Sequence, residues 1–600
     1  MPAKTSSLSP RARAFGLCAL ALLVALYVWW PMLEGWTSTQ GGDGQYFHKL
    51  VEAGRVSVAH FHELPLWDPY ECGGRPLWDN PQSLVAAPLI WLNLLVGTST
   101  TMKLWYLLHT AAGFVSMWLF CRRDLGVGRA AAFAASVGWA AGGFHMHHYS
   151  GGHAAFVTFE LMPLALFFWR RAENDDRYAM GLGLLVALLG LEGAALPLLY
   201  FAVLLAAETL TRLWPPRRVV RIARAGAITL AVGIGVGAVR FFPVIDQLRS
   251  HKRPIPPDFD HMTATSLRDA FVNGYLPHLH RLPNHVYVWG EYSCYVGWLL
   301  LVLAVAGVVL AGRRHLWLGA LLALAVALMV GYQGALSPWG ILNKYVYPLK
   351  EMRVPARFNA QASFVLLAYA ALAVDALGAR LETLRERFTA LRLPNAVIPV
   401  AQAIVPMLAI LGAGDVLGHG INLAHEYPTG GQAHPATPRS PRLYYGGRDI
   451  ASFVDQPQQN RGRAACYEPW APYEGAAIWD GDVPQARAAG EGVVVTDVRR
   501  TQNTFDFDVQ SEASSKVLVN SSFDLNWRAS LGRPFESNRM LAVEVPGGVH
   551  HVHLFYRPRS LGLGALVTAA ALAATAWGLR RRRAKAKEPS PATAEPGAAS

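Results

Sequence analysis

The chain has 600 residues, 52% hydrophobic and 16% charged, where soluble domains average about 25% charged. That balance excludes an ordinary soluble protein and, through its apolar content, an intrinsically disordered one. The net charge of +13 reads as the Lys/Arg excess of cytoplasmic loops in a membrane protein, not as nucleic-acid binding.

A bilayer core of about 30 Å takes roughly 20 apolar residues per helix. About twelve segments answer to this: 14–33, 101–121, 129–146, 154–170, 178–191, 194–213, 225–243, 293–312, 316–332, 358–378, 395–416 and 561–580. The first is too long for a secretory signal and lacks a small-residue cleavage site. Basic clusters at Arg122-Arg123, Arg170-Arg171, Arg217 to Arg224, Arg313-Arg314, Arg380 to Arg392 and after Arg580 fall on one side. They place both termini in the cytoplasm of a multi-pass protein. Residues 84–96 would break the alternation if they crossed, so they are predicted to be re-entrant or interfacial. Leu381, Leu384, Phe388 and Leu391 predict an amphipathic surface helix within 375–393.

This topology predicts a membrane domain over 1–417 with a large first outer loop at 34–100. A β-rich outer domain follows over 418–560, then a last span at 561–580 and a basic, disordered tail at 581–600. Phe505, Phe507 and Val509 alternate, as do Leu541, Val543 and Val545 and then Val552, Leu554 and Tyr556. Pro546-Gly547-Gly548 between the last two runs predicts a hairpin in a small β-sandwich.

The first outer loop concentrates polar residues: Asp43, Gln45, Trp67, Asp68, Asp79 and Gln82 among many Pro and Gly. Aspartates there either cap turns or do chemistry. Asp43 follows the first span closely, at the interface where a lipid-linked substrate presents its head group. A carboxylate there can take a proton from an attacking hydroxyl. Glycosyl transfer needs this together with a cation for the leaving phosphate, which the planar guanidinium fork of arginine suits. Lys350, Arg353 and Arg357 supply cations on an outer loop, alternatively as head-group ligands or a pair with Glu351. His145, His147, His148 and His153 lie between two spans. They are read as substrate-facing or structural, with a divalent metal as the alternative. Cys72 and Cys294 are both outside, so a disulfide between them is an open option.

These residues resemble the bacterial YfhO-like membrane proteins, a branch of the multi-span GT-C glycosyltransferases. The likeness runs through Gly42-Asp43, Pro65 to Tyr70 (PLWDPY), Gly73 to Pro76 (GGRP) and Asp79 to Ser83 (DNPQS). It continues through Gly142-Gly143-Phe144 with His148 and His153, Glu291 with Tyr295-Val296-Gly297, Arg353 to Phe358 (RVPARF), and Tyr556-Arg557-Pro558. The chain departs from the family at Asn526, where a Gly tends to precede the Trp, and it has no tandem DxD to demand a metal. The resemblance implies a polytopic α-helical GT-C-like fold in a bacterial inner (cytoplasmic) membrane. It implies sugar transfer from a polyprenyl-phosphate-linked donor to a lipid, glycan or cell-envelope polymer on the outer face. By position it makes Asp43 the general base and gives the carrier phosphate to Arg353 and Arg357. Gln45, Trp67, Asp68, Asp79 and Gln82 would line the sugar or acceptor pocket, and His153 would bond the phosphate or sugar. No cofactor is specified by the resemblance, and a divalent metal stays open. Two other readings compete: a flippase for lipid-linked glycans and a non-catalytic envelope-assembly protein.

Overall fold

The computed structural model describes residues 9–34, 38–40, 42–250, 260–347, 349–391, 397–426, 429–432, 442–446, 453, 455–467, 473 and 475–585. The tail beyond 585 and the basic residues His251, Lys252 and Arg253 lie outside the described residues. Among them six helices are long and apolar enough to cross a membrane: Pro10–Val28, Thr98–Leu125, Arg217–Val236, Pro355–Ala390, Ile398–His425 and Leu561–Arg580. The pair Trp298–Leu310 and Arg313–Met329 passes the same test together but is bent by 114°. The other apolar segments fall on shorter elements. These are Arg129–Ala140, a 3-10 stretch Ala154–Leu161 running into Met162–Ala172, Asp176–Leu191 and Ala195–Leu210. The expected span at 129–146 is interrupted at Gly142, where a new short helix, Gly143–Ser150, begins.

The helix Asn359–Ala390 is the axis of the bundle, and every residue from Asn359 to Val374 is buried. Trp298–Leu310 lies along it. A side chain at Gly307 would strike the carbonyl of Tyr369, so this contact requires glycine. Outer helices turn apolar side chains outward: Leu22, Leu23 and Leu26, then Val302, Val305 and Val309, then Leu563 and Leu566 are exposed. Such stripes suit a lipid environment.

One end of the bundle is tied by ion pairs. Arg171 pairs with Asp124, Arg224 with Asp176, and Glu173 binds Arg212 at 3.0 Å and Arg218 at 2.9 Å. The opposite end, where Met162–Ala172 begins, carries the polar loops. The predicted amphipathic surface helix is instead the continuation of Asn359–Ala390, since no Pro or Gly pair stops the helical run. Residues 418–425, expected in the β-rich unit, likewise continue the helix Val397–His425. Residues 84–96 form two short turns, Pro88–Leu92 and Asn93–Val96, with Leu94 and Leu95 exposed, and hold no helix long enough to cross.

The β-rich unit has eight principal strands: β1 (Ala486–Ala488), β2 (Val493–Arg500), β3 (Thr504–Ser511), β4 (Ser515–Ser522), β5 (Trp527–Ala529), β6 (Arg533–Ser537), β7 (Met540–Val545) and β8 (Gly548–Tyr556). They form two four-stranded sheets, ordered β6-β7-β4-β1 and β5-β8-β3-β2. The predicted hairpin between β7 and β8 is not formed. The Pro-Gly-Gly turn carries the chain from one sheet to the other, and β8 pairs with β3 and β5. Both strands keep their alternating apolar face inward, with Val543, Val545, Val552 and Leu554 fully buried.

The first loop is welded to this sandwich. Trp67 is buried with its ring 5.3 Å from Trp527 and 4.6 Å from Tyr556. Cys72 forms a disulfide with Cys466, not with Cys294, which is free and buried in the bundle. On the bundle side Arg240 donates to the carbonyls of Asn80 (2.5 Å) and Ser83 (2.8 Å).

Candidate functional site

Asp43 opens the helix Asp43–Ala59, where free backbone N–H groups and the helix dipole favour a negative charge. Above it sits the turn Gly151-Gly152-His153. Gly152 has φ +87°, and any side chain there would run into the backbone of Gly44. Glycine therefore lets the turn rest on the start of the helix, and the next residue, His153, reaches Asp43.

His153 Nε2 lies 3.1 Å from Asp43 Oδ2. A carboxylate only accepts, so Nε2 carries the proton. His153 Nδ1 is 2.8 Å from His148 Nδ1. With both rings neutral, His148 Nδ1–H donates there, and His148 Nε2 is left as a bare lone pair, buried and without a hydrogen-bond partner. It faces Glu291 Oε2 at 4.0 Å. Glu291, at the end of the turn Trp289–Glu291, receives two bonds from Arg357, Nε to Oε2 at 2.7 Å and Nη2 to Oε1 at 2.6 Å. The Arg357 guanidinium also stacks 4.6 Å from the Phe156 ring. On the other side, the Tyr467 hydroxyl donates to Asp43 Oδ1.

The groups differ in depth. The Asp43 side chain is 42% exposed, His153 16% and Glu291 8%. Asp43 thus meets solvent while the others stand behind it. Burial works against the charge of Asp43, but the hydrogen bonds from His153 and Tyr467 outweigh it and hold the carboxyl below its ordinary range. Glu291 is buried too, and Arg357 keeps it ionised far below the usual carboxylate range.

His148, His153 and Glu291 offer ligand atoms within 4.8 Å of one another, the one such group among the described residues that could hold a metal. The donor chemistry fits a dication poorly. Arg357 already neutralises Glu291, and the Nδ1–Nδ1 bond leaves one imidazole lone pair free of the two.

Of the residues singled out by sequence, the structure gathers Asp43, His153 and Arg357. Gln45 lies half-buried in the same first helical turn. Gln82 is half-buried in the adjoining loop, its N–H bonded to Asn80 Oδ1. Arg353 is exposed beside the Arg357 turn. The expected pocket lining at Trp67, Asp68 and Asp79 is packing instead. Asp68 is buried against Lys49 at 2.8 Å. Asp79 is buried beneath the Tyr556 hydroxyl at 3.0 Å. The fold draws these three inward because the loop that holds them is the floor of the sandwich. Sequence reasoning assigned no role to Glu291 or Tyr467 and read His148 only as one of a substrate-facing or structural histidine group. Glu291 and His148 stand in the recognised motif pieces; Tyr467 has no local signal.

No protein-family profile and no curated protein sequence matches the chain. Solved structures do. It is similar to the arabinofuranosyltransferase AftD from mycobacteria at 17% identity and TM-score 0.44, covering 72% of this chain and 28% of that one. It is similar to the Archaeoglobus fulgidus oligosaccharyltransferase tethered with an acceptor peptide, at 13% identity and TM-score 0.43, covering 77% and 64%. It is also similar to ArnT from Cupriavidus metallidurans bound to undecaprenyl phosphate, at 14% identity and TM-score 0.37, covering 76% and 86%. The chain thus spans under two thirds of the length of AftD and of the oligosaccharyltransferase.

Proposed function

We propose that the protein is a GT-C-type glycosyltransferase of the YfhO-like kind, crossing a bacterial inner membrane about twelve times with both termini inside. It moves a sugar from a polyprenyl-phosphate-linked donor to a lipid, glycan or envelope-polymer acceptor on the outer face. The observation that carries this reading is Asp43: ionised, open to solvent and backed by His153, with Arg357 close behind. In the reaction the acceptor hydroxyl gives its proton to Asp43 as its oxygen attacks the anomeric carbon. The bond from that carbon to the carrier phosphate breaks, and the electron pair leaves with the phosphate. Arg357 binds Glu291 through Nε and Nη2, which leaves Nη1 for the phosphate, and the exposed Arg353 adds a second cation. One base on one face suffices for inversion. The candidate groups Asp43, His153 and Arg357 lie at the end of the bundle that carries the polar loops, which favours an enzyme over a flippase.

The test is Asp43→Asn beside wild type, in complementation and in transfer from total membrane polyprenyl-phosphate sugars, at matched protein levels. Loss of a general base costs on the order of 10²-fold or more. Unchanged transfer and phenotype would overturn the assignment in favour of the assembly or flippase readings.

A further inference from the structure

Asp43 belongs to the first loop, yet one of its two hydrogen-bond donors comes from more than four hundred residues away. Tyr467 directly follows Cys466, and the Cys72–Cys466 disulfide closes a separation of 394 residues. Three contacts next to that bond fix the tyrosine. Its backbone N–H donates to Glu71 Oε1 at 2.5 Å. Glu71 is itself buried between Lys49, at 2.5 Å, and Arg75, at 3.5 Å; burial raises its carboxyl, but the two cations pull it down to about 2. The Tyr467 ring stacks on Tyr46 with centroids 5.2 Å apart and planes 21° from parallel, and Phe453 closes its edge at 5.0 Å. The ring is thus held flat over the first turn of the helix Asp43–Ala59, and the hydroxyl has one direction to point, at Asp43 Oδ1.

We propose that Tyr467 is a positioning residue for Asp43, and that the Cys72–Cys466 disulfide holds it in place, so that sugar transfer requires the oxidised protein. The proposal rests on Asp43 being the base. With His153 donating to Oδ2 and Tyr467 to Oδ1, the carboxylate cannot rotate, and each oxygen keeps one lone pair for the incoming acceptor hydroxyl. The titratable groups that face Asp43 are His153, Glu291 and His278 from the bundle and Tyr467 from the β-rich unit. Only the last depends on the disulfide. The outer face of a bacterial membrane is an oxidising compartment in which such a bond persists.

Four samples test this in purified full-length protein: wild type and Tyr467→Phe, each before and after mild reduction. The Asp43 carboxyl is followed by infrared titration, assigned by difference from Asp43→Asn, and kcat/KM is followed against pH with membrane polyprenyl-phosphate sugars. Tyr467→Phe moves the Asp43 midpoint to higher pH, carries the acid limb of kcat/KM with it, and lowers transfer at neutral pH about tenfold, the scale of one hydrogen bond to a charged group. Reduction does the same to wild type and adds little to Tyr467→Phe. A merely structural tyrosine would leave the midpoint in place. An unmoved midpoint in Tyr467→Phe, or a reductive loss of equal size in both proteins, overturns the proposal. Reduction of folded protein serves in place of Cys72→Ser/Cys466→Ser if that variant fails to fold. A shifted midpoint in a protein that transfers no sugar would uphold the positioning role and overturn the glycosyltransferase reading instead.

Discussion

Arg357 sets its guanidinium edge against both oxygens of Glu291, at 2.7 and 2.6 Å, and each side chain is about nine-tenths buried. Breaking such a pair leaves an uncompensated buried charge, at about 3–5 kcal/mol. Glu291→Gln is therefore expected to lower the thermal unfolding temperature in detergent. Arg357→Lys does so as well, because an ammonium cannot make the two parallel bonds. Replacing both residues by Met restores most of the stability and none of the transfer. If the double variant were active, Arg357 would have no part in binding the phosphate.

The pH profile of the proposed transfer is expected to follow Asp43. Its carboxyl is held below the ordinary aspartate value of about 3.9. The base is therefore present at neutral pH and is lost only as pH falls through that depressed value. Transfer is expected to stay flat from neutrality down to about pH 5 as far as this group governs it. His153→Ala removes a lowering contribution and moves the acid limb to higher pH. An unmoved limb would show that His153 does not act on the base.

Metal dependence is expected to be absent at this centre. Arg357 occupies Glu291, and one free imidazole nitrogen makes a weak site. Transfer should survive stripping with EDTA. Arg357→Ala, which frees the carboxylate, should gain affinity for Zn2+ in a calorimetric titration. Abolition of wild-type transfer by EDTA with rescue by a divalent ion would refute this.

Asp79 makes a separate prediction about stability. Its carboxyl is pushed up to about 8, first by burial and then by the nearby Asp524, against opposing hydrogen bonds that include the Tyr556 hydroxyl. It is thus protonated in the folded protein at neutral pH, while the unfolded chain titrates near pH 3.9. A raised folded value favours the native state at low pH, and that advantage drains away as pH rises from about 4 to about 8. Asp79→Asn keeps a neutral polar group in place. It should flatten the decline in unfolding temperature over this range. A variant with the wild-type slope would mean that another group controls it.

The sequence revealed what is local and periodic. Apolar runs marked the long helices, and alternation marked Phe505, Phe507 and Val509 as a strand face because the side-chain period is two whatever the partner. The partner itself left no trace. The run from Leu541 to Tyr556 reads identically as a hairpin or as a crossover between sheets, and the choice is made by which buried faces must meet. The same limit governs the site. Asp43 was legible from its place beside a span, and His153 from its motif. That Trp67 and Asp79 serve as sandwich floor follows from contacts with Trp527 and Tyr556, whose separation in sequence hides them. The sequence suggested Cys294 as an optional partner for Cys72, whereas the fold pairs it with Cys466.

The link between Cys72 and Cys466 also sets a biosynthetic order. Asp43 and Cys72 are made early, while Cys466 and Tyr467 follow after another 394 residues of chain. The strands that grip the first loop, down to Tyr556, come later still. A nascent chain therefore carries its carboxylate through membrane insertion without the partner that steadies it. The centre is assembled last, when the β-rich unit closes over the loop, and a protein truncated before that unit would be left with an unfinished site.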